Sequence, residues 1–180
     1  AWGGRLKAEY TFSERPWRPV FGYSYQIFSG DDPSTGRLER FDPLYYDGSP
    51  SAWATGSKSA MVFINSNVQS HNLSLRVTPT QRDILTLRYS HVRAHELRSP
   101  VQFGQATRLV FADGLSTVAS GVIDAHLSDD LFLEYTRMID PNTYLTGGFS
   151  ISFPGDGIKE AAGGDAPNWT GVFLNVVINF

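Results

Sequence analysis

The sequence predicts an all-β protein, an antiparallel transmembrane β-barrel of which residues 1–180 supply the C-terminal part, about seven strands of a larger barrel. Three observations carry that expectation. Apolar and polar residues alternate with period two in seven separate runs, and no stretch shows convincing helical periodicity. The links between the runs alternate between short and long. Tyr, Phe and Trp gather towards the ends of the runs.

In the first run Leu6, Ala8, Tyr10 and Phe12 share one face, with Lys7, Glu9 and Thr11 on the other. The second sets Pro19, Phe21, Tyr23, Tyr25 and Ile27 against Arg18, Gly22, Ser24 and Gln26. The third opposes Leu73, Leu75 and Val77 to Asn72, Ser74 and Arg76, and the fourth Leu85, Leu87 and Tyr89 to Thr86, Arg88 and Ser90. The fifth, read as one long strand over residues 120–138, puts Leu131, Leu133 and Tyr135 opposite Glu134 and Thr136. Reading Asp129-Asp130 as a hairpin turn instead would leave two segments of about seven residues, short of the ~9–11 a crossing strand needs. The sixth places Leu145, Gly147, Phe149, Ile151 and Phe153 against Thr146, Gly148, Ser150 and Ser152. The last places Val172, Leu174, Val176, Ile178 and Phe180 against Gly171, Asn175 and Asn179.

Short links fall near residues 13–16, 79–83 and 140–143, and long ones near 29–67, 95–118 and 154–168. Short turns on one side of a membrane and long loops on the other give this rhythm, which a soluble meander has no reason to keep. An odd strand count predicts at least one further strand before residue 1, because barrels with both termini on one side have even numbers. The competing architecture is a soluble or surface β-sandwich that binds carbohydrate through its aromatics, since its strands alternate in the same way.

Composition narrows the function classes. A net charge of −3 with no basic run argues against nucleic acid as a partner. The absence of cysteine excludes disulfides and thiolate chemistry. The mean hydropathy of −0.22 is what alternating membrane strands also produce, so it does not exclude a membrane barrel.

No residue set predicts catalysis: there is no Gly-x-Ser-x-Gly elbow, and Ser90 and its neighbour His91 point to opposite faces of a strand. His91 and His95 are expected to lie too far apart to share an ion, and His71 and His126 have no evident ligand partners. No metal or cofactor is therefore expected. The Asp31-Asp32-Pro33-Ser34-Thr35-Gly36 stretch fails as an EF-hand, because Pro33 occupies a ligand position. Asp31, Asp32 and Asp42 leave an irregular extracellular cation site open, against a solvated loop whose Asp-Pro and Asp-Gly pairs set turns. On the polar faces Lys7, Arg18, Arg76 and Arg88 stand with Glu9 and Glu134. Cations in a low-dielectric wall concentrate anionic solutes, and the same charges can pair to brace the wall.

The stretch Phe28-Ser29-Gly30-Asp31-Asp32-Pro33, followed by Phe41-Asp42-Pro43-Leu44-Tyr45, resembles the alginate export family of outer-membrane barrels. Gly121-Val122-Ile123-Asp124 and Phe153-Pro154-Gly155-Asp156 are similar to that family's penultimate-strand region. The closing alternation through Val176, Ile178 and Phe180 resembles the C-terminal signal that the barrel-assembly machinery reads. The resemblance implies a protein of the bacterial outer membrane that conducts an anionic polysaccharide or other anionic solute through a basic pore, without enzymatic chemistry. Its implied partners are outer-membrane lipid, the assembly machinery, the solute and periplasmic export components.

Overall fold

The computed structural model describes residues 1–42, 55–56, 60–104, 109–111, 114–116 and 118–180, excepting the side chains of 109–111 and 114–116. Seven long strands form one antiparallel sheet in which every neighbour in space is a neighbour in sequence. They are β1 (Gly3–Thr11), β2 (Val20–Phe28), β3 (Val68–Thr80), β4 (Asp83–Ala94), β5 (His126–Asp140), β6 (Thr143–Pro154) and β7 (Trp169–Ile178). A short helix, α1 (Asp156–Ala161), follows β6. β1 and β7 are the edges of the sheet among the described residues.

Register places the alternating side chains on two faces. One row of partners runs Arg76↔Thr86↔Glu134↔Gly148, and the next runs Leu75↔Leu87↔Leu133↔Phe149. The two faces reverse the order of a soluble core. Ser70, Ser90, Ser150, Ser152 and Asp130 are at most 1% exposed, whereas Leu87, Leu133, Phe149 and Leu174 are between 43% and 74% exposed. Hydrophobic burial drives apolar side chains out of water, so an extended apolar face with nothing described against it demands a non-aqueous neighbour.

The connections keep the expected rhythm. β1–β2, β3–β4 and β5–β6 are joined at one end by short turns, and the other three links are long and lie at the opposite end. Two strand boundaries differ from expectation. Arg18 lies in the β1–β2 turn, not on β2: it is exposed, has φ 45°, and follows Trp17 at φ 64°. The turn is closed by Phe12 N–H to Pro19 C=O (2.9 Å) and tied to the end of β3 by Thr78 N–H to Trp17 C=O (2.7 Å). Two left-handed residues in a row cannot belong to a strand. The fifth strand begins at His126, not near residue 120. Residues 121–125 instead turn back onto the long-loop end, where Arg98 N–H bonds Val122 C=O and Ala94 N–H bonds Ala125 C=O, both at 2.8 Å.

The apolar core sits at that end, packed over the polar face. Phe28, Met61, Phe63, Val68, Val92, Val101, Phe103, Val122, Leu127 and Ile158 form one buried cluster drawn from strand ends and all three long links. Each such side chain contributes about 1.5–3 kcal/mol on burial. The long links therefore fold as a cap over the sheet.

Candidate pore-facing surface and its cap

The polar face gathers the charged residues picked out by alternation. Lys7, Glu9, Arg76, Arg88 and Glu134 all occupy it, joined by Arg5 and Asp130. Arg5 precedes the first clear alternation and Asp130 has the sequence of half a turn, so alternation alone does not reveal either. Among the described strand residues this face carries four cations (Arg5, Lys7, Arg76, Arg88) and three carboxylates (Glu9, Asp130, Glu134), a balance of one positive charge when all are ionised.

Much of that charge braces the wall. Lys7 Nζ pairs with Glu9 Oε1 at 2.9 Å, with both side chains well exposed. Arg88 lies over the Phe132 ring, 5.2 Å from its centroid, and its Nη2 donates to Gly56 C=O at 3.1 Å. Phe132 in turn stacks on Phe173, with centroids 6.2 Å apart and planes within 8°. Both rings interrupt the polar face, a placement the alternation pattern did not reveal. Gly148 makes room for them, since a Cβ there would overlap the Phe173 ring. Arg76 stands exposed on the same face, opposite Thr86.

The first long link folds inward onto the same surface. Its Thr55–Gly56 and Val62–Phe63 segments pair antiparallel. Gln26 Nε2 donates to Thr55 Oγ1 at 2.6 Å, and Met61 N–H donates to Ser152 Oγ at 3.2 Å. β2 and β6, separated by three strands in the sheet, are thus both bonded to one inserted hairpin, which also covers Arg88.

The acidic loop serves as internal bracing. Asp31 Oδ1 accepts from Glu39 N–H at 2.8 Å, and Asp31 N–H donates to Ser99 Oγ at 2.9 Å. Asp32 Oδ1 accepts from Ser34 N–H at 2.8 Å. Hydrogen bonds from Ser34 hold the Asp32 carboxyl below its ordinary range. Asp42 is exposed, and among the described residues it does not group with Asp31 and Asp32 closely enough to share an ion. The three aspartates thus take separate positions, and two of them are committed to loop geometry. Residues 43–45, the end of the second motif, lie outside the described residues.

Asn67 is the node between the first two long links. At φ 55° its Nδ2 donates to Glu96 C=O (3.1 Å) and Ser99 C=O (3.0 Å), and its Oδ1 accepts from Glu96 N–H (2.8 Å). Ser29 closes the ring, accepting from Trp2 N–H at 3.0 Å and donating to Glu39 C=O at 2.8 Å.

The alginate export family model matches residues 1–172. The chain belongs to the alginate export family. Among curated proteins no significant match is found. The alginate export family is a transport family of the outer membrane, not an enzyme family. Its resemblance motifs acquire a physical role here. Phe28 and Phe41 pack against each other with centroids 5.1 Å apart. Asp124 Oδ1 accepts from His126 N–H at 2.7 Å, beneath the turn that carries Gly155 and Asp156. The segments that carry the resemblance thus lie where the cap is fastened.

The expectation for His126 requires correction. His95 leaves the strand, stacks edge-on to Trp2 and accepts from Gly30 N–H at 3.2 Å. His91 does not share its surroundings. His126, expected to have no partner, lies with its ring stacked on His91 at 5.0 Å and its Nε2 2.9 Å from Asp129 Oδ2.

Proposed function

We propose that the chain forms part of the wall of an outer-membrane β-barrel through which an anionic polysaccharide or another anionic solute passes. The observation that carries this is the direction of the tyrosines on the apolar face. At the long-loop end Tyr23 OH meets His71 (2.8 Å), Tyr25 OH donates to Gln69 (3.0 Å) and Tyr89 OH donates to Asp129 (2.5 Å). At the short-turn end Tyr135 OH donates to Asp83 (2.6 Å), beside the Arg137–Asp83 pair at 3.1 Å. Tips point away from the middle at both ends, as in two interfacial belts around a hydrocarbon layer.

The dimensions agree. The eight steps from Asp83 to His91, at ~3.3 Å each and a tilt near 40°, give an apolar band about 20 Å tall. An apolar groove of about 490 Å³ over Gly22, lined by Tyr10, Phe21, Leu73 and Leu131, suits a lipid chain. In this reading the polar face lines the lumen and the inserted hairpin is a constriction. The exposed terminal strand residues Val176, Ile178 and Phe180 are available to the assembly machinery. Periplasmic export components belong to the short-turn side.

A β-sandwich needs a second sheet over the apolar face, and none of the described residues provides one. Membrane extraction separates the two readings: the full-length protein should require detergent, and recovery in the aqueous fraction would overturn the barrel. For the solute, the exposed cations are the informative ones, because Arg88 is engaged with the wall. Lys7→Glu with Arg76→Glu should shift the reversal potential of bilayer conductance towards cations. An unchanged reversal potential would remove both residues from the pathway.

A further inference from the structure

The cluster of His91, His126 and Asp129 lies on the outward face just beyond Tyr89, away from the polar surface described above. In a regular strand this set could not assemble, since residues 126 and 129 would point to opposite faces. The β4–β5 pairing shows why it does. Asp129 faces His91 and Ser128 faces Val92, but the next pair is His126 with Arg93. One extra residue, Leu127, is inserted and turned inward, where it is fully buried in the core cluster. This β-bulge re-aims His126 onto the outward face, beside His91.

The displaced residue is held firmly. His126 N–H donates to Asp124 Oδ1 at 2.7 Å, and Leu127 C=O accepts from Gly155 N–H at 2.8 Å. Gly155 lies so close to the His126 backbone that any Cβ there would overlap its carbonyl. A bulge anchored on both sides and carrying an imidazole to a second imidazole and a carboxylate costs ladder pairing, which a purely structural contact at an exposed rim would not require.

We propose that His91 Nδ1, His126 Nε2 and an Asp129 carboxylate oxygen form a binding site for a borderline divalent transition-metal ion of the Zn²⁺ class. The three ligand atoms lie within 4.8 Å of one another, with His91 Nδ1 2.8 Å and His126 Nε2 2.9 Å from the carboxylate. Tetrahedral bonds of about 2.0–2.1 Å separate ligand atoms by about 3.3 Å, a spacing the three groups reach by side-chain rotamer adjustment from their present positions. Two nitrogens and one oxygen select Zn²⁺-like ions over Ca²⁺ and Mg²⁺, which want all-oxygen shells. Tyr89 OH, bonded to Asp129 Oδ1, orients the carboxylate as an outer partner. Each of the three side chains is 31% exposed, leaving the fourth position to water or to an outside donor. The bound ion would fasten β4 to β5 at the base of the cap.

The test is isothermal titration of the full-length protein in detergent with Zn²⁺, and separately with Mg²⁺. The expected result is saturation at one Zn²⁺ per chain and none with Mg²⁺. Affinity should fall by more than about tenfold in His126→Ala and in His91→Ala, and hold in the control His71→Ala/His95→Ala. The His91 substitution sits on an unbulged strand and keeps the test valid if His126→Ala fails to fold. Absence of saturable Zn²⁺ binding, binding retained in His91→Ala, or binding lost only in the control would overturn the proposal.

Discussion

Replacing Asn67 by alanine should unfasten the cap while leaving the seven-stranded sheet in place. The truncation removes three hydrogen bonds, at 2.8, 3.0 and 3.1 Å, and strands the Ser99 carbonyl in a buried site and the Glu96 N–H and carbonyl in a part-buried one. At about 1 kcal/mol each, the loss is about 3 kcal/mol. Asn67 also sits at φ 55°, where alanine adds about 1 kcal/mol of backbone strain. A loss of that size raises cap opening more than about 100-fold. Hydrogen exchange reads it directly at the Glu96 and Asn67 amides, which bond Asn67 Oδ1 and Ser29 C=O. Asn67→Gly should exchange more slowly than Asn67→Ala, since glycine relieves the strain without restoring the bonds. A change of less than about fivefold for Asn67→Ala would show that the links are held together elsewhere.

Two further outcomes follow from the same geometry. Gly148→Ala places a methyl into the Phe173 ring and should destabilise the sheet by about 1–3 kcal/mol; Phe173→Ala in that background should recover most of the loss in urea unfolding. Non-additivity near zero would mean that the rings do not depend on that gap. The Asp32 carboxyl, held below its ordinary 3.8 by bonds from Ser34, favours the folded turn fully above that value. The contribution fades as pH falls through the lower folded value. The carboxyl carbon shift should therefore titrate below 3.8, and a midpoint above it would contradict the turn described here.

Much of the sheet was legible because period-two alternation needs no tertiary knowledge: Leu85, Leu87 and Tyr89 face outward as their spacing requires. The seven strands, the side of each long link and the common face of Lys7, Glu9, Arg76, Arg88 and Glu134 follow from that single rule. What it missed departs from the rule locally. Alternation places Arg18 on a strand because it is blind to the left-handed turn at Trp17 and Arg18. Alternation starts the fifth strand too early because the turn at residues 121–125 is fixed by bonds to Ala94 and Arg98, far away in sequence. Phe132 and Phe173 sit on a polar face because Gly148, on the intervening strand, leaves them space. The His91–His126–Asp129 group depends on one inserted residue, and a bulge has no signature in hydropathy.

The central claim is that the two faces of one sheet meet two different solvents, lipid outside and water inside. The chain has no cysteine, so single cysteines can be introduced at Leu87, on the apolar face, and at Arg76, on the polar face beside Thr86. In reconstituted membranes a charged, membrane-impermeant maleimide should label Arg76→Cys and spare Leu87→Cys. A nitroxide lipid should quench a fluorophore at residue 87 and not at 76. Aqueous labelling at both positions, with no lipid quenching at either, would contradict the account.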